Sequence, residues 1–301
     1  MWEKNTSACA PPLSLGLPVF NGEPFLQATL DSILAQTYGD FELLISDNAS
    51  TDRTPQIIRE YAARDRRIKC FRQSKNIGSG NNWTFVAMRA RSEWFKWVSA
   101  NDTYAPRLLE LCIDPLKGDD NVVLCYGRTQ LIDLAGAWLG IYRGDFDAVS
   151  SDPIERYRVV RERLHLGTPV QAGIIRLEAL RRCGYMGNIR DGDRVLIAGL
   201  ALIGKFVLLP QVLHYRRWDS SCASALRDPL EVQRLYKPNA SRPPLFTNLP
   251  RQIGQIEVAV RAPEGIRAKC RALAATVRFT DWRRKLSPHL SDLPPMGRHR
   301  P

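Results

Sequence analysis

The sequence predicts an α/β fold: a mostly parallel central sheet flanked by helices. Across residues 12–115, short apolar runs alternate with segments of helical period, the pattern of repeated strand–helix units. Each apolar run ends in a cluster of small polar residues, as expected at the ligand-binding edge of an open sheet. No self-similarity at a 20–50-residue period is present, which argues against a solenoid.

The elements follow in order. Residues 13–20, LSLGLPVF, read as a strand. Residues 24–37 read as a helix, with Phe25, Leu26, Leu30, Ile33 and Leu34 on one stripe and Pro24 suited to the first turn. Residues 41–48 form a second strand. Residues 50–65 form a helix behind a Ser/Thr/Asp cap, with Ile57, Ile58 and Tyr61 inward. Residues 67–73, 80–92 and 93–100 read as strand, helix and strand, and 121–133 as a further strand before a Gly-punctuated turn and WLGIYR. Residues 143–168 are less regular. Residues 173–184 read as a strand entering a helix, 193–204 as a helix, and KFVLLP (205–210) as its following strand. The proline-rich stretch 237–250 reads as a linker. Residues 264–286 read as a basic amphipathic helix, with Ile266, Cys270, Leu273 and Val277 on its apolar stripe. The implied division is a catalytic domain over 1–230 and a basic C-terminal extension over 231–301.

Composition narrows the class. The chain has 301 residues, 44% hydrophobic and 25% charged, as in a globular protein. Its first residues lack the basic start and apolar centre of a signal peptide. The longest apolar region, 195–215, is broken by Gly199, Gly204, Lys205 and Pro210, so it reads as buried helix and strand rather than a membrane span. Seven scattered cysteines without a CxxC fit reduced thiols in a cytoplasmic protein better than a disulfide framework or zinc site. Net charge is +12, of which residues 231–301 carry +9. That tail suggests an anionic partner, such as a membrane surface met peripherally, and equally fits a solvated basic face packed on the domain. The rest is nearly neutral and has no nucleic-acid-binding motif, so no nucleic-acid partner is expected.

Four strand exits carry the polar groups: Pro18-Val19-Phe20-Asn21-Gly22-Glu23, Asp47-Asn48-Ala49-Ser50-Thr51-Asp52, Lys75-Asn76-Ile77-Gly78-Ser79-Gly80-Asn81 and Ser99-Ala100-Asn101-Asp102. A shared ligand explains them jointly. Singly, Asn21-Gly22 could be only a turn, and Asp47 and Ser50 only caps.

These exits, in this order, resemble family 2 inverting glycosyltransferases, which have the GT-A nucleotide-sugar-binding fold. PVFNGEPFLQATLDSILAQTYGDFELLISDNASTDRT is similar to the family's opening block. NIGSGNNW, FKWVSANDTYAP and GDRVLIAGLALIGKFVLLPQVLHYRR are similar to later ones. The resemblance covers roughly residues 12–222 and implies a nucleotide-sugar donor and a glycan or lipid-linked acceptor. It places Pro18, Asn21 and Glu23 in the nucleotide pocket and makes Asp47 the acceptor for the base. Asn76, Gly78 and Asn81 fall near base and ribose, Asp193 at the general base, and Arg216 and Arg217 at the diphosphate. Asn101 and Asp102 fall at the family's metal motif, which implies Mg²⁺ or Mn²⁺. Here, however, Ser99 and Asn101 replace carboxylates that a hard cation prefers, and only Asp102 keeps its charge. Either one carboxylate holds the cation weakly, or Arg216 or Arg217 stabilises the leaving diphosphate. The family histidine expected two or three residues after the Tyr-Arg pair is replaced by Arg217-Trp218. A non-catalytic nucleotide-sugar-binding protein with a degenerate metal site is the alternative.

Overall fold

The computed structural model describes residues 11–164, 172–218, 228–243, 253, 254, 256 and 257. The expected helix over 264–286 lies outside them. The first half is strand–helix alternation: β1 (Leu13–Val19), α1 (Leu26–Leu34), β2 (Phe41–Asp47), α2 (Thr54–Arg64), β3 (Ile68–Arg72), α3 (Ser79–Arg89) and β4 (Trp94–Trp97). The second half holds β5 (Thr103–Tyr104), α4 (Leu108–Gly118), β6 (Val122–Ile132), β7 (Trp138–Ile141), α5 (Pro153–Arg163), β8 (Ile174–Arg176), α6 (Leu177–Cys183), α7 (Gly192–Ile203), β9 (Lys205–Arg217) and α8 (Pro229–Tyr236).

One sheet runs in the order β3-β2-β1-β4-β8-β6-β9-β5, with β7 added to β6. Strands β3, β2, β1 and β4 are parallel, and so are β6 and β9. Strand β8 joins the halves by antiparallel pairing to β4 and β6. The sequence order β1, β2, β3 reverses at β1, whose other neighbour is β4, so the crevice falls beyond the carboxyl ends of these strands.

Both faces are covered. Leu13, Leu15, Leu17 and Val19 of β1 pack on one side with Leu26, Leu30 and Ile33 of α1, Ile57 and Ile58 of α2, and Leu108 and Leu109 of α4. On the other side Phe95 and Trp97 pack with α3, α5, α6 and α7. Each such fully buried side chain stabilises the fold by about 1.5–3 kcal/mol relative to exposure. Tyr61 is half-buried, and its hydroxyl donates to Asp31 at 2.6 Å.

Several elements depart from the sequence reading. Strand β9 does not stop at Pro210 but runs to Arg217. Its pairing with β6 jumps from Leu209↔Gly127 to Val212↔Arg128, so Pro210 and Gln211 sit in a bulge. Proline has no N–H for a ladder, and a bulge asks for none. Helix α5 lies in the stretch read as irregular; Asp152 caps it by accepting from the Ile154 amide at 2.8 Å. Helix α2 begins at Thr54, with Pro55 in its first turn and Arg53 at the cap position, so the Ser50–Asp52 polar groups serve the loop instead. Helix α8 crosses the division expected at residue 230 and packs against α3. Among the described residues Cys70, Cys112, Cys125 and Cys183 are free thiols, and no helix is long and apolar enough to cross a membrane.

Candidate active site

The parallel strands place their exits side by side, and hydrogen bonds tie the exits together. The loop after β1 grips the loop after β2. The amides of Asn21, Gly22 and Glu23 donate to Ser50 Oγ (2.9 Å), Thr54 Oγ1 (2.8 Å) and Asp52 Oδ2 (3.0 Å). In return, Asn21 Oδ1 accepts from the Thr51 amide (2.9 Å) and Glu23 Oε2 from the Arg53 amide (3.0 Å). Burial pushes Asp52 up, but hydrogen bonds from Thr54 and Glu23 outweigh it and leave its carboxyl below the ordinary value. Asn21 and Glu23 therefore fix the shape of the rim, and Pro18 pairs within the β1/β2 ladder behind it.

Asp47 ends β2 and is buried. Its Oδ1 accepts from the Ser50 amide at 2.9 Å, and its Oδ2 meets Arg72 Nη1 at 2.7 Å, while Arg72 Nη2 donates to the Ser50 carbonyl at 3.0 Å. An ionised carboxylate has about four acceptor positions, so these two bonds leave capacity for a ligand donor. Arg72 is a site residue that the sequence reading did not single out; its signal was its place at the end of β3, beside Asp47 in register.

The third exit is locked to the second. Asn48 Nδ2 donates to Asn76 Oδ1, and the Ile77 amide donates to Asn48 Oδ1, both at 2.9 Å. Asn81 Nδ2 donates to the Ile77 carbonyl at 2.8 Å. Gly78 has φ +86° and ψ 153°, a region essentially confined to glycine, and a Cβ there would lie 2.1 Å from the Tyr236 carbonyl oxygen. Close approach of α8 thus accounts for this glycine. Asn188 Nδ2 donates to the same carbonyl at 2.9 Å.

The fourth exit holds an arrangement that sequence could not show. β5 pairs antiparallel with β9, Thr103 opposite Tyr215 and Tyr104 opposite His214. This sets Asp102, 5% exposed, against the end of β9. Asp102 Oδ2 lies 3.0 Å from His214 Nε2, and Oδ1 accepts from the Arg217 amide at 3.0 Å. The His214 ring stacks on Tyr104 at 5.3 Å between centroids. Burial depresses the His214 pKa against the opposing pull of Asp102. Below lies Lys96, fully buried on β4, with Nζ 4.6 Å from the Tyr104 ring centroid and no hydrogen-bond acceptor among the described residues. Its pKa is brought down to about 7 by burial, with Cys112 and Asp102 opposing. A lone lysine inside WFKWV was the sequence signal for this cluster. The histidine that reaches the site precedes the Tyr215-Arg216 pair.

Alternation along β9 divides the basic pair. Arg217 Nη1 donates to the Asn101 carbonyl at 2.9 Å, and its guanidinium lies 4.8 Å from the Phe25 ring centroid. Arg216, on the opposite face, lies 5.2 Å from the Trp218 ring centroid. Arg216 and Arg194 both act on the Tyr142 hydroxyl, whose pKa burial pushes up to about 12 while these two cations pull it down. Arg216 of β9 and Arg194 of α7 thus both lie near Tyr142. Asp193 occupies the first turn of α7, where the helix dipole favours a carboxylate. Asp191 just before it has φ +61°, which Asp tolerates better than most residues. The Tyr236 phenol is pushed up to about 12 by burial and then by Asp193 and Asp191, which places it beside both carboxylates.

The residues expected to hold a divalent cation do not fit one. Ser99 Oγ donates to Asn101 Oδ1 at 2.6 Å, and both oxygens of Asp102 already face protein groups. No group of three His, Cys, Asp or Glu suited to a metal occurs among the described residues.

The sequence profile described as Glycosyl transferase family 2 matches residues 14–171, just over half of the chain. The chain belongs to glycosyltransferase family 2. An uncharacterised glycosyltransferase of Rickettsia typhi is 32% identical over 125 residues, 41% of this chain and 38% of that protein. Chondroitin synthase of Escherichia coli is 31% identical over 135 residues, 44% of this chain and 19% of that protein. These matches span well under half of either relative's length. Among solved structures, TarS 1–349 of S. aureus in complex with UDP superposes with a TM-score of 0.63 at 15% identity, covering 91% of this chain and 72% of that one. The mannosyltransferase PcManGT of Pyrobaculum calidifontis, in complex with GDP-Man and Mn²⁺, gives 0.53 at 18% identity, covering 91% and 76%. The fold is GT-A.

Proposed function

We propose that this family 2 glycosyltransferase moves a sugar from a nucleotide-diphosphate sugar, UDP- or dTDP-linked, to a hydroxyl of a glycan or lipid-linked acceptor. The reaction is a single displacement that inverts the anomeric centre. The observation that carries the reading is the rim itself. Four strand exits come together at one polar edge, with Asp193 in the first turn of α7 and Arg216 and Arg217 at the end of β9.

The chemistry asks three things of such a site. The base and ribose need a pocket with fixed acceptors, and Asp47, Asn76 and the loops held by Asn21 and Glu23 supply it. The leaving diphosphate needs positive charge, and Arg216 and Arg217 stand at the strand end where it is expected. The acceptor hydroxyl needs a base in line with the anomeric carbon, and Asp193 takes that role. Attack forms the new C–O bond as the bond to the diphosphate oxygen breaks; the hydroxyl proton passes to Asp193. The basic segment 231–301 would hold the enzyme peripherally against the anionic inner face of the plasma membrane, where a lipid-linked acceptor is presented.

The test is Asp193→Asn with a radiolabelled donor. Turnover is expected to fall at least about 100-fold, the usual contribution of a positioned general base, with nucleotide affinity unchanged. Turnover near the wild-type rate would refute the base assignment. The replaced carboxylates at Ser99 and Asn101 favour a second reading, a nucleotide-sugar binder without turnover. Donor hydrolysis at background level in the wild type would favour it.

A further inference from the structure

We infer that donor binding in this chain needs no divalent cation, and that Asp102 is a positioning residue for Arg217 rather than a metal ligand. The inference rests on the nucleotide-sugar reading and deepens it.

A hard cation asks for about six oxygen ligands, several of them carboxylates or waters. The fourth strand exit offers one carboxylate, and each of its oxygens already meets a protein group. Both Asp102 oxygens are engaged, one by His214 Nε2 and one by the Arg217 amide, each at 3.0 Å. A third contact ties its main chain to α1, with Thr29 Oγ1 donating to the Asp102 carbonyl at 2.7 Å. A metal could use only the remaining lone pairs of a carboxylate that is 5% exposed and already held at both oxygens, and among the described residues no group of three His, Cys, Asp or Glu is there to complete its coordination. The neighbouring Ser99 and Asn101 offer only neutral oxygens, already hydrogen-bonded to each other at 2.6 Å.

The same bonds set the cations in place. The Asp102–Arg217 amide bond fixes the last residue of β9 against the fourth exit. The Arg217 guanidinium is then braced between the Asn101 carbonyl at 2.9 Å and the Phe25 ring at 4.8 Å. Arg216 is braced on Trp218 at 5.2 Å. The first exit adjoins this point, since a Cβ on Gly22 would lie 3.8 Å from the Ala100 Cβ. A diphosphate leaving the nucleotide rim toward the end of β9 thus meets a planar guanidinium suited to paired contacts with phosphate oxygens. Charge that a metal would bring from solvent is built into the strand. The Asp102 carboxylate, over the buried Lys96, acts as its internal counter-ion.

The test uses the full chain after metal stripping. UDP and dTDP affinities are measured by calorimetry in EDTA and in Mn²⁺, and free Mn²⁺ is followed by EPR with and without nucleotide. Affinity in EDTA is expected within about threefold of that in Mn²⁺, with no stoichiometric Mn²⁺ site in either state. Arg217→Ala should weaken UDP at least about tenfold while leaving uridine unchanged, and Arg217→Lys should recover part of the loss, which a purely structural role would not do. Asp102→Asn should weaken UDP relative to uridine equally in EDTA and in Mn²⁺. Binding at least tenfold tighter in Mn²⁺, or a stoichiometric Mn²⁺ site lost in Asp102→Asn, would overturn the inference and leave the nucleotide reading standing. Failure of UDP, GDP and dTDP to bind in any condition would instead overturn the nucleotide reading, and this inference with it.

Discussion

Replacing His214 by Phe measures how firmly Asp102 is held as a buried charge. The substitution keeps an aromatic ring to stack on Tyr104, an arrangement now 5.3 Å between centroids with planes 10° apart. It removes the 3.0 Å contact from Nε2 to Asp102 Oδ2. Asp102 is 5% exposed, so water cannot replace the lost donor without opening the site. Leaving a buried acceptor unsatisfied costs about 1–3 kcal/mol, more when it is charged. The expected loss is therefore about 2–4 kcal/mol, since the retained ring contact gives nothing back. At about 2–4 °C per kcal/mol for a domain of this size, Tm should fall by roughly 5–15 °C in calorimetry. Adding Asp102→Asn removes the stranded charge, so the His214→Phe penalty should shrink by at least about 1 kcal/mol in the double variant. A Tm change under about 2 °C, or strict additivity, would show that Asp102 is solvated and available, and the internal counter-ion argument would fail.

Two further outcomes follow from the geometry. Gly78→Ala forces a glycine-only backbone region and sets a methyl against the Tyr236 carbonyl; the backbone cost alone is about 1–3 kcal/mol. Stability should drop by at least about 2 kcal/mol and amide exchange should rise across Pro229–Tyr236, whereas wild-type protection there would refute the contact. Asp145 hydrogen-bonds the Thr129 amide at 2.6 Å, and burial raises its pKa to about 6 against those bonds. A raised carboxyl pKa means the folded state binds the extra proton between about pH 4 and 6, so this group's contribution to stability falls as pH rises through that window. Asp145→Asn should match the wild type below pH 4 and gain on it by up to about 3 kcal/mol at pH 7, at 1.36 kcal/mol per pKa unit. A pH-independent difference in urea denaturation would show that Asp145 is not the titrating group.

The strand–helix alternation of residues 13–97 was legible because period and composition are local properties. Leu13, Leu15, Leu17 and Val19 must share one face of any strand they form. Helix α5 was harder, because its apolar stripe is broken by Arg156 and Arg161, both buried. Arg156 spends its guanidinium on the nearby carbonyls of Ser150 and Ser151 and on that of Ala201, 45 residues away. Strand β9 was cut short because Pro210 ends a strand locally; only pairing with β6 shows a bulge that carries the strand onward.

The sequence by itself determined the architecture, the polar strand exits and the family resemblance, since each is written in contiguous residues and their spacing. Only the tertiary structure decided what the exits do to one another. Asn21 and Glu23 brace a loop, Arg72 meets Asp47, and His214 and the Arg217 amide take both oxygens of Asp102. Those partners lie 25 to 115 residues apart along the chain. No local pattern encodes such pairs; they arise because parallel strands bring their carboxyl ends to one edge, where buried polar groups must find partners.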